Sequence, residues 1–99
     1  MIITFADEET SDIYHGIDSK KARKRLSKIL WEKAQTKLDM LNRARRIEDL
    51  KAPPNNRLEK LERELAGKHS IRINDQYRVV FKWDQGICGA SEVRIVDYH

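Results

Sequence analysis

The chain ends in Val96-Asp97-Tyr98-His99, which places a carboxyl, a phenol and an imidazole in consecutive positions. All three groups can donate or accept protons, and a β-branched run typical of a strand precedes them. Side chains alternate between the faces of a regular strand, so Tyr98 is expected on one face and Asp97 and His99 on the other. Two interpretations stay open here. The ending is either an acid–base site or a terminus whose Asp97 and His99 extend into solvent beside a packed Tyr98.

Two arginines earlier in the chain suggest what these groups would act on. Arg72 and Arg78 flank the turn residues Asn74-Asp75, so a β-hairpin beside the last strand is predicted to carry both. The planar guanidinium group matches phosphate oxygens and stabilises negative charge that develops on a phosphate. The alternative is that these arginines form ordinary salt bridges with nearby carboxylates. This is harder to assume for Arg78, because it interrupts an otherwise apolar run.

RNA cleavage without a metal needs a base for the ribose 2′-hydroxyl, a cation near the phosphate and an acid for the leaving 5′-oxygen. His99 is the expected acid and Arg78 the expected cation, while Tyr98 either stacks on a base or takes part in proton transfer. The sequence contains no glycine-rich phosphate loop, zinc-ligand spacing or nucleophile motif. We therefore expect no metal and no cofactor.

The elements that position these residues begin with helices. Residues 2–5 predict a short strand, and a polar stretch after it predicts a brief helix that ends near Gly16. From Asp18 or Ser19 to about Arg45 the chain has no Gly or Pro, and an apolar stripe predicts one long helix. The stripe consists of Ala22, Leu26, Ile29, Leu30, Ala34, Leu38 and Leu41.

A basic run occupies the first turns of this predicted helix. Its members are Lys20, Lys21, Arg23, Lys24, Arg25 and Lys28. The run is either a solvated face or a surface for phosphates or for an acidic partner. The formal charge of +4 and the pI near 9.3 also favour a polyanionic or acidic partner.

Pro53-Pro54 breaks the helical pattern, and strands are predicted after it. Residues 57–61 predict a short strand, although residues 62–65 have helical composition. Residues 70–73 and 77–83 predict the hairpin, and residues 92–99 predict the last strand. The whole pattern predicts an α+β fold in one domain over residues 1–99, with the N-terminal strand and helices packed on one face of an antiparallel sheet.

The compartment is expected to be cytoplasmic. Cys88 is the only cysteine, which excludes an intrachain disulfide and fits a reducing environment. No apolar run is long enough to span a bilayer, and no basic segment precedes the first apolar residues, so no membrane association is expected.

Several segments taken together closely resemble the plasmid-maintenance killer proteins of the RelE/HigB toxin superfamily. They are Arg57-Leu58-Glu59, residues 67–81 and the ending Val96-Asp97-Tyr98-His99, with Pro53-Pro54 ahead of them. The resemblance covers nearly the whole chain. It implies a RelE-like fold, ribosome-dependent cleavage of messenger RNA in the decoding site, and inhibition by a helix-turn-helix antitoxin of the HigA type. Operator DNA would be contacted only through the antitoxin complex.

The same resemblance implies site residues. The catalytic group would be Asp97, Tyr98 and His99, together with the sheet arginine, Arg78. Basic residues on and beside the hairpin are the expected substrate contacts, namely Arg72, Lys60, Lys68 and His69.

One departure from the family pattern concerns the segment from Glu59 to Glu62. HigB relatives often carry a His and a Lys there, whereas this chain has two carboxylates with Lys60 between them. Negative charge would weaken attraction to phosphate, so either catalysis is slower or Glu59 is the general base.

Two alternatives without nuclease activity share the fold. ParE-like relatives resemble this scaffold and poison DNA gyrase by protein contact, and a basic regulatory module would only bind its antitoxin and operator DNA. The acid–base ending argues against both. RNA cleavage that disappears in His99→Ala or Tyr98→Ala variants would exclude them.

Overall fold

The computed structural model describes residues 1–98. Three α-helices come first: α1 (Glu8–His15), α2 (Lys20–Arg25) and α3 (Trp31–Arg43). Four strands follow: β1 (Glu59–Lys60), β2 (Lys68–Arg72), β3 (Tyr77–Asp84) and β4 (Gly89–Asp97). Short 3₁₀ turns lie at Lys28–Leu30, Ile47–Lys51, Pro54–Asn56 and Arg63–Leu65. None of the helices in the described chain is long and apolar enough to cross a membrane.

The prediction of one long helix from residue 18 to 45 is wrong. The chain leaves α2 at Leu26, which is extended, passes through the 3₁₀ turn Lys28–Leu30 and enters α3 at Trp31. The indole Nε1 of Trp31 donates to the Leu26 carbonyl at 2.8 Å, and both side chains are buried. Ile29, expected in the apolar stripe, is 87% exposed instead. Burial of the large Trp31 ring therefore outweighs the local preference for helix and interrupts the helical backbone between α2 and α3.

The first helix forms as predicted. Asp7 caps α1 by accepting from the Thr10 backbone N–H at 2.8 Å, and Gly16 ends it in the left-handed conformation at φ +71°. The segment before α1 is not a regular strand. It forms isolated parallel bridges, Ile2 to Ala90 and Phe5 to Val93, and so covers part of the β4 edge.

The strands form an antiparallel sheet in the order β1-β2-β3-β4. The predicted β2–β3 hairpin is confirmed, with Arg72 opposite Arg78 and Ile71 opposite Val79. The ambiguous region after Pro54 is mostly irregular, because β1 is only two residues long and Arg63–Leu65 is a 3₁₀ turn.

The helices pack on one face of this sheet, as predicted. Its side chains Ile71, Val79, Phe81, Val93 and Ile95 are fully buried with the apolar side chains of the helices. Alternation sends the intervening side chains to the opposite face. We call this the outer face and define it by Ser70, Arg72, Arg78, Val80 and Arg94.

Candidate functional site

Arg78 is the most constrained cation of the outer face. It lies on β3 and is only 6% exposed. Its Nε donates to the Ser70 Oγ at 2.8 Å, and its Nη2 donates to the Arg57 carbonyl at 2.5 Å. Bonds to two separate segments fix the plane of the guanidinium before any ligand arrives.

The Arg57 carbonyl is itself held in place by a buried asparagine. Asn56 is fully buried, and its amide donates to the carbonyls of Leu50 and Ala52 at 3.2 and 3.3 Å. Its Oδ1 accepts from the Lys37 Nζ on α3 at 2.5 Å. The loop that carries the Arg57 carbonyl is thereby anchored to α3.

Sequence reasoning did not identify Ser70, Asn56 or Lys37 as parts of the site. Ser70 lies within residues 67–81, which carry the family resemblance, and Asn56 directly precedes Arg57, but their roles depend on contacts across the fold. The available signal for Lys37 was its spacing, three residues after Ala34 and four before Leu41, which puts it beside the apolar stripe of the helix. Its burial follows from the packing of α3 against the Asn56 loop.

Two further groups approach Arg78 from the solvent side. The Glu59 Oε1 lies 3.8 Å from the Arg78 Nη1, and the Tyr98 ring centroid lies 5.3 Å from the Arg78 Cζ. Burial lowers the pKa of Arg78, which Glu59 and Tyr98 partly oppose. The guanidinium still stays charged, because its ordinary pKa lies far above neutrality. The arrangement provides a fixed cation beside a carboxylate and a phenol.

Arg72 shares the outer face with Arg78, as the hairpin pattern predicted. Its Nη2 forms an ion pair with Asp75 in the turn, whose side chain is almost fully exposed. An exposed ion pair of this kind contributes little to stability, so a phosphate can compete with Asp75 for this arginine.

The other expected substrate contacts are more scattered. Lys68 pairs with Glu92 at 3.5 Å, and the exposed Lys60 lies opposite His69 in the β1–β2 register. His69 lies opposite Phe81 and stacks on its ring, with 6.2 Å between the centroids. Alternation therefore puts His69 on the helix side of the sheet, away from Arg72 and Arg78.

His69 is half-buried, and its buried Nδ1 has no hydrogen-bond partner among residues 1–98. Burial, and to a lesser extent the charge of Lys60, lowers the pKa of this imidazole below its ordinary value of 6.5. As the pH falls through that value, the unfolded chain takes up a proton that the folded chain resists. The folded state therefore loses stability on acidification until the lower folded pKa is passed.

We expect the variant His69→Phe to lose part of this pH dependence. Phenylalanine keeps a ring that can stack on Phe81 but does not titrate, so unfolding near neutral pH should change little. The free energy of unfolding, measured with urea from about pH 8 to about pH 5, should fall less steeply in the variant than in the wild type. Equal slopes would contradict the burial of this imidazole.

The side chains of Asp97 and Tyr98 lie on opposite faces of the sheet, as alternation predicts. Asp97 lies opposite Tyr77 and accepts from the Gln76 Nε2 at 3.1 Å, while Tyr98 turns to the outer face above Arg78. The Tyr98 backbone N–H donates to the Gln76 carbonyl at 2.7 Å, which extends the pairing beyond β4. His99, the predicted acid, lies outside the described residues.

No three histidine, cysteine or acidic side chains within residues 1–98 lie close enough together to hold a metal ion. Glu62, the second acidic departure from the family pattern, is exposed at the N-cap position of the 3₁₀ turn Arg63–Leu65. It takes part in none of the ion pairs of the described chain.

Known proteins similar to this chain were found by sequence. A family model described as a RelE-like toxin of the type II toxin–antitoxin system HigB matches residues 3–99. Toxin HigB-1 of Vibrio cholerae is 49% identical over 51 residues, which cover 52% of this chain and 54% of that protein. The match thus spans about half of that relative. An uncharacterized protein of Haemophilus influenzae is 37% identical over 81 residues, which cover 81% of this chain and 76% of that protein.

Solved structures with a similar fold come from Staphylococcus aureus. A crystal structure of the heterotetrameric YoeB–YefM toxin–antitoxin complex contains a chain that matches with a TM-score of 0.61 at 20% identity. A second structure of the YoeB–YefM complex gives 0.57, also at 20% identity. Each match covers 100% of this chain and 98% of the other. At this identity the likeness concerns the fold alone.

Proposed function

Because the chain belongs to the HigB-like family of RelE-like toxins of type II toxin–antitoxin systems, we propose that it is an endoribonuclease that cleaves messenger RNA in the ribosomal decoding site. One observation carries the proposal. A buried, pre-positioned Arg78 lies beside the exposed side chains of a carboxylate and a phenol on the outer face of the sheet. This combination suits a phosphodiester better than an uncharged ligand.

In the proposed reaction the ribose 2′-oxygen attacks the adjacent phosphorus, and the bond from phosphorus to the 5′-oxygen breaks. Glu59 accepts the proton of the 2′-hydroxyl, and His99 gives a proton to the leaving 5′-oxygen. Arg78 stabilises the negative charge that develops on the phosphate oxygens. The products are a 2′,3′-cyclic phosphate and a 5′-hydroxyl, and no metal or cofactor takes part.

Other residues of the site would bind the strand. Arg72 and Lys68 would contact phosphates around the cleaved bond once the RNA displaces Asp75 and Glu92, and Lys60, which lies opposite His69, would contact the strand from the sheet edge. Tyr98 stacks on a base, and Asp97 orients the end of the chain through Gln76. His69 would act from the sheet edge only, since its ring is stacked on Phe81.

The proposed partner is an antitoxin. The Staphylococcus aureus toxin of similar fold was solved together with YefM. For this chain we propose a helix-turn-helix antitoxin of the HigA type that holds the toxin inactive in the cytoplasm. Operator DNA would then be contacted only through the complex of the two proteins.

Primer extension on a defined messenger RNA tests the proposal directly. Purified protein would be incubated with the RNA in the presence and absence of programmed ribosomes. We expect new 5′ ends only when ribosomes are present. Absence of cleavage in both arms, from a protein that still arrests growth, would reject the nuclease and favour contact with DNA gyrase.

The same assay assigns the role of Tyr98. Removing its ring in Tyr98→Ala should reduce cleavage about tenfold, the size expected for loss of one stacked base. The variant Tyr98→Phe keeps the ring and removes the hydroxyl. Activity close to wild type in Tyr98→Phe would support stacking, whereas a loss as large as in Tyr98→Ala would show that the phenol moves a proton.

A further inference from the structure

A groove of about 390 Å³ runs along the free edge of β4 and continues to α2. Lys24 lies on the helix side of this groove, Arg94 and Val96 lie on the strand side, and Tyr77 contributes an aromatic ring. Arg25, Ile95 and Asp97 complete the lining. Apart from Asp97, which orients the end of the chain in the proposed mechanism, none of these residues takes part in the proposed chemistry at Arg78.

Ion pairs leave two cations of this groove available. Most of the basic run identified in the sequence is neutralised locally, because Lys21 pairs with Glu8 and Arg25 pairs with Asp7 and Glu9. Asp18 likewise pairs with Arg23 and Lys28. Within residues 1–98, neither Lys24 nor Arg94 takes part in an ion pair, and both are exposed.

The groove is continuous with the outer face. Val96 lies opposite Arg78, and Arg94 lies opposite Val80, so both side chains project from the face that holds the candidate site. Arg94 is the diagonal neighbour of Arg78, and diagonal neighbours on one face of a sheet lie about 7–8 Å apart. Its side chain is therefore within reach of the RNA strand that continues from a phosphate held at Arg78.

We propose that Lys24 and Arg94 bind phosphates of the RNA strand that flank the cleaved bond, with Tyr77 as a surface for an unpaired base. The inference rests on the proposed function, since it extends the path of the same strand. An acidic segment of a protein partner would satisfy the charges as well. Continuity with the Arg78 face favours the RNA, because a strand bound at Arg78 reaches this edge after the width of one strand.

Fluorescence anisotropy with a labelled single-stranded RNA tests the inference without any cleavage. Methylating every 2′-hydroxyl of the RNA removes the nucleophile. We compare the wild type with the double variant Lys24→Ala/Arg94→Ala. The matched control is Lys33→Ala/Lys51→Ala, which removes two exposed, unpaired lysines away from the groove.

The double variant should bind this RNA about tenfold more weakly than the wild type, and the plot of log affinity against log salt should become shallower by about 1.4. The control should change neither quantity. Equal losses in both variants would overturn the inference, because the effect would then come from net charge. Unchanged RNA binding with weakened binding of an acidic partner segment would also overturn it and assign the groove to a protein.

Failure of the proposed function looks different in these experiments. A wild-type protein that binds the methylated RNA through Lys24 and Arg94, yet cleaves nothing on ribosomes, would keep the groove and reject the nuclease. A protein that cleaves on ribosomes but binds RNA equally well in the double variant would do the reverse.

Discussion

Replacing Arg78 with alanine is expected to reduce cleavage of ribosome-bound messenger RNA by about 10²–10³-fold, the usual cost of losing one well-placed electrostatic stabiliser. The guanidinium is held by the Ser70 Oγ and the Arg57 carbonyl, so its charge is already positioned when the phosphate arrives. Alanine removes both the charge and the donors. Single-turnover cleavage on saturating ribosomes measures the effect on the chemical step.

The controls for this prediction separate chemistry from folding. Arg78→Lys keeps a positive charge but cannot bond to Ser70 and Arg57 together, so we expect it to recover only part of the activity. Lys51→Ala removes an exposed cation elsewhere and should cleave like the wild type. Circular dichroism should show a folded Arg78→Ala chain. If that variant is unfolded, Arg78 is a structural residue and the catalytic assignment is wrong.

Glu59→Gln should lower the cleavage rate by at least about 10²-fold if Glu59 is the general base, since such groups typically contribute 10²–10⁴. Glutamine keeps the size of the side chain but accepts no proton. The opposite result has an equally clear meaning. If Glu59 merely competes with phosphate for Arg78, at 3.8 Å in the free protein, its neutralisation should raise the rate.

The sign of this change is therefore decisive, and Glu62→Gln provides its control. Glu62 has the same charge and lies three residues away, but it forms no ion pair with Arg78. The Glu62→Gln variant should cleave at a rate within about twofold of the wild type, as expected for loss of an exposed charge. A similar decrease in both variants would point to a general loss of negative charge instead of a specific base.

The sheet could be predicted from the sequence because its rules are local. Alternation alone predicted that the Arg78 side chain lies on the face of β3 opposite the buried one, and that Tyr98 and Asp97 lie on different faces of the sheet. Turn residues at Asn74-Asp75 fixed the hairpin, and with it the pairing of Arg72 with Arg78. Alternation and turn residues could not predict which groups contact the two arginines.

What the sequence did not predict depends on contacts between distant segments. The helix break at Leu26 results from burial of Trp31, which competes with the local preference for helix. The burial of Arg78 requires the Arg57 carbonyl, which approaches from a loop 21 positions away. His69 was expected to be available to RNA, but its cross-strand neighbour Phe81 draws the ring to the helix side.

The anchoring of Asn56 to Lys37 has a consequence for control of the protein. With the loop bonded to α3 and the guanidinium bonded to the loop, the orientation of the arginine is already set in the free chain. Under the proposed mechanism the toxin would need no activation step after folding. An antitoxin would then have to cover the outer face, block the proposed access to the ribosome, or loosen the link between α3 and the Asn56 loop.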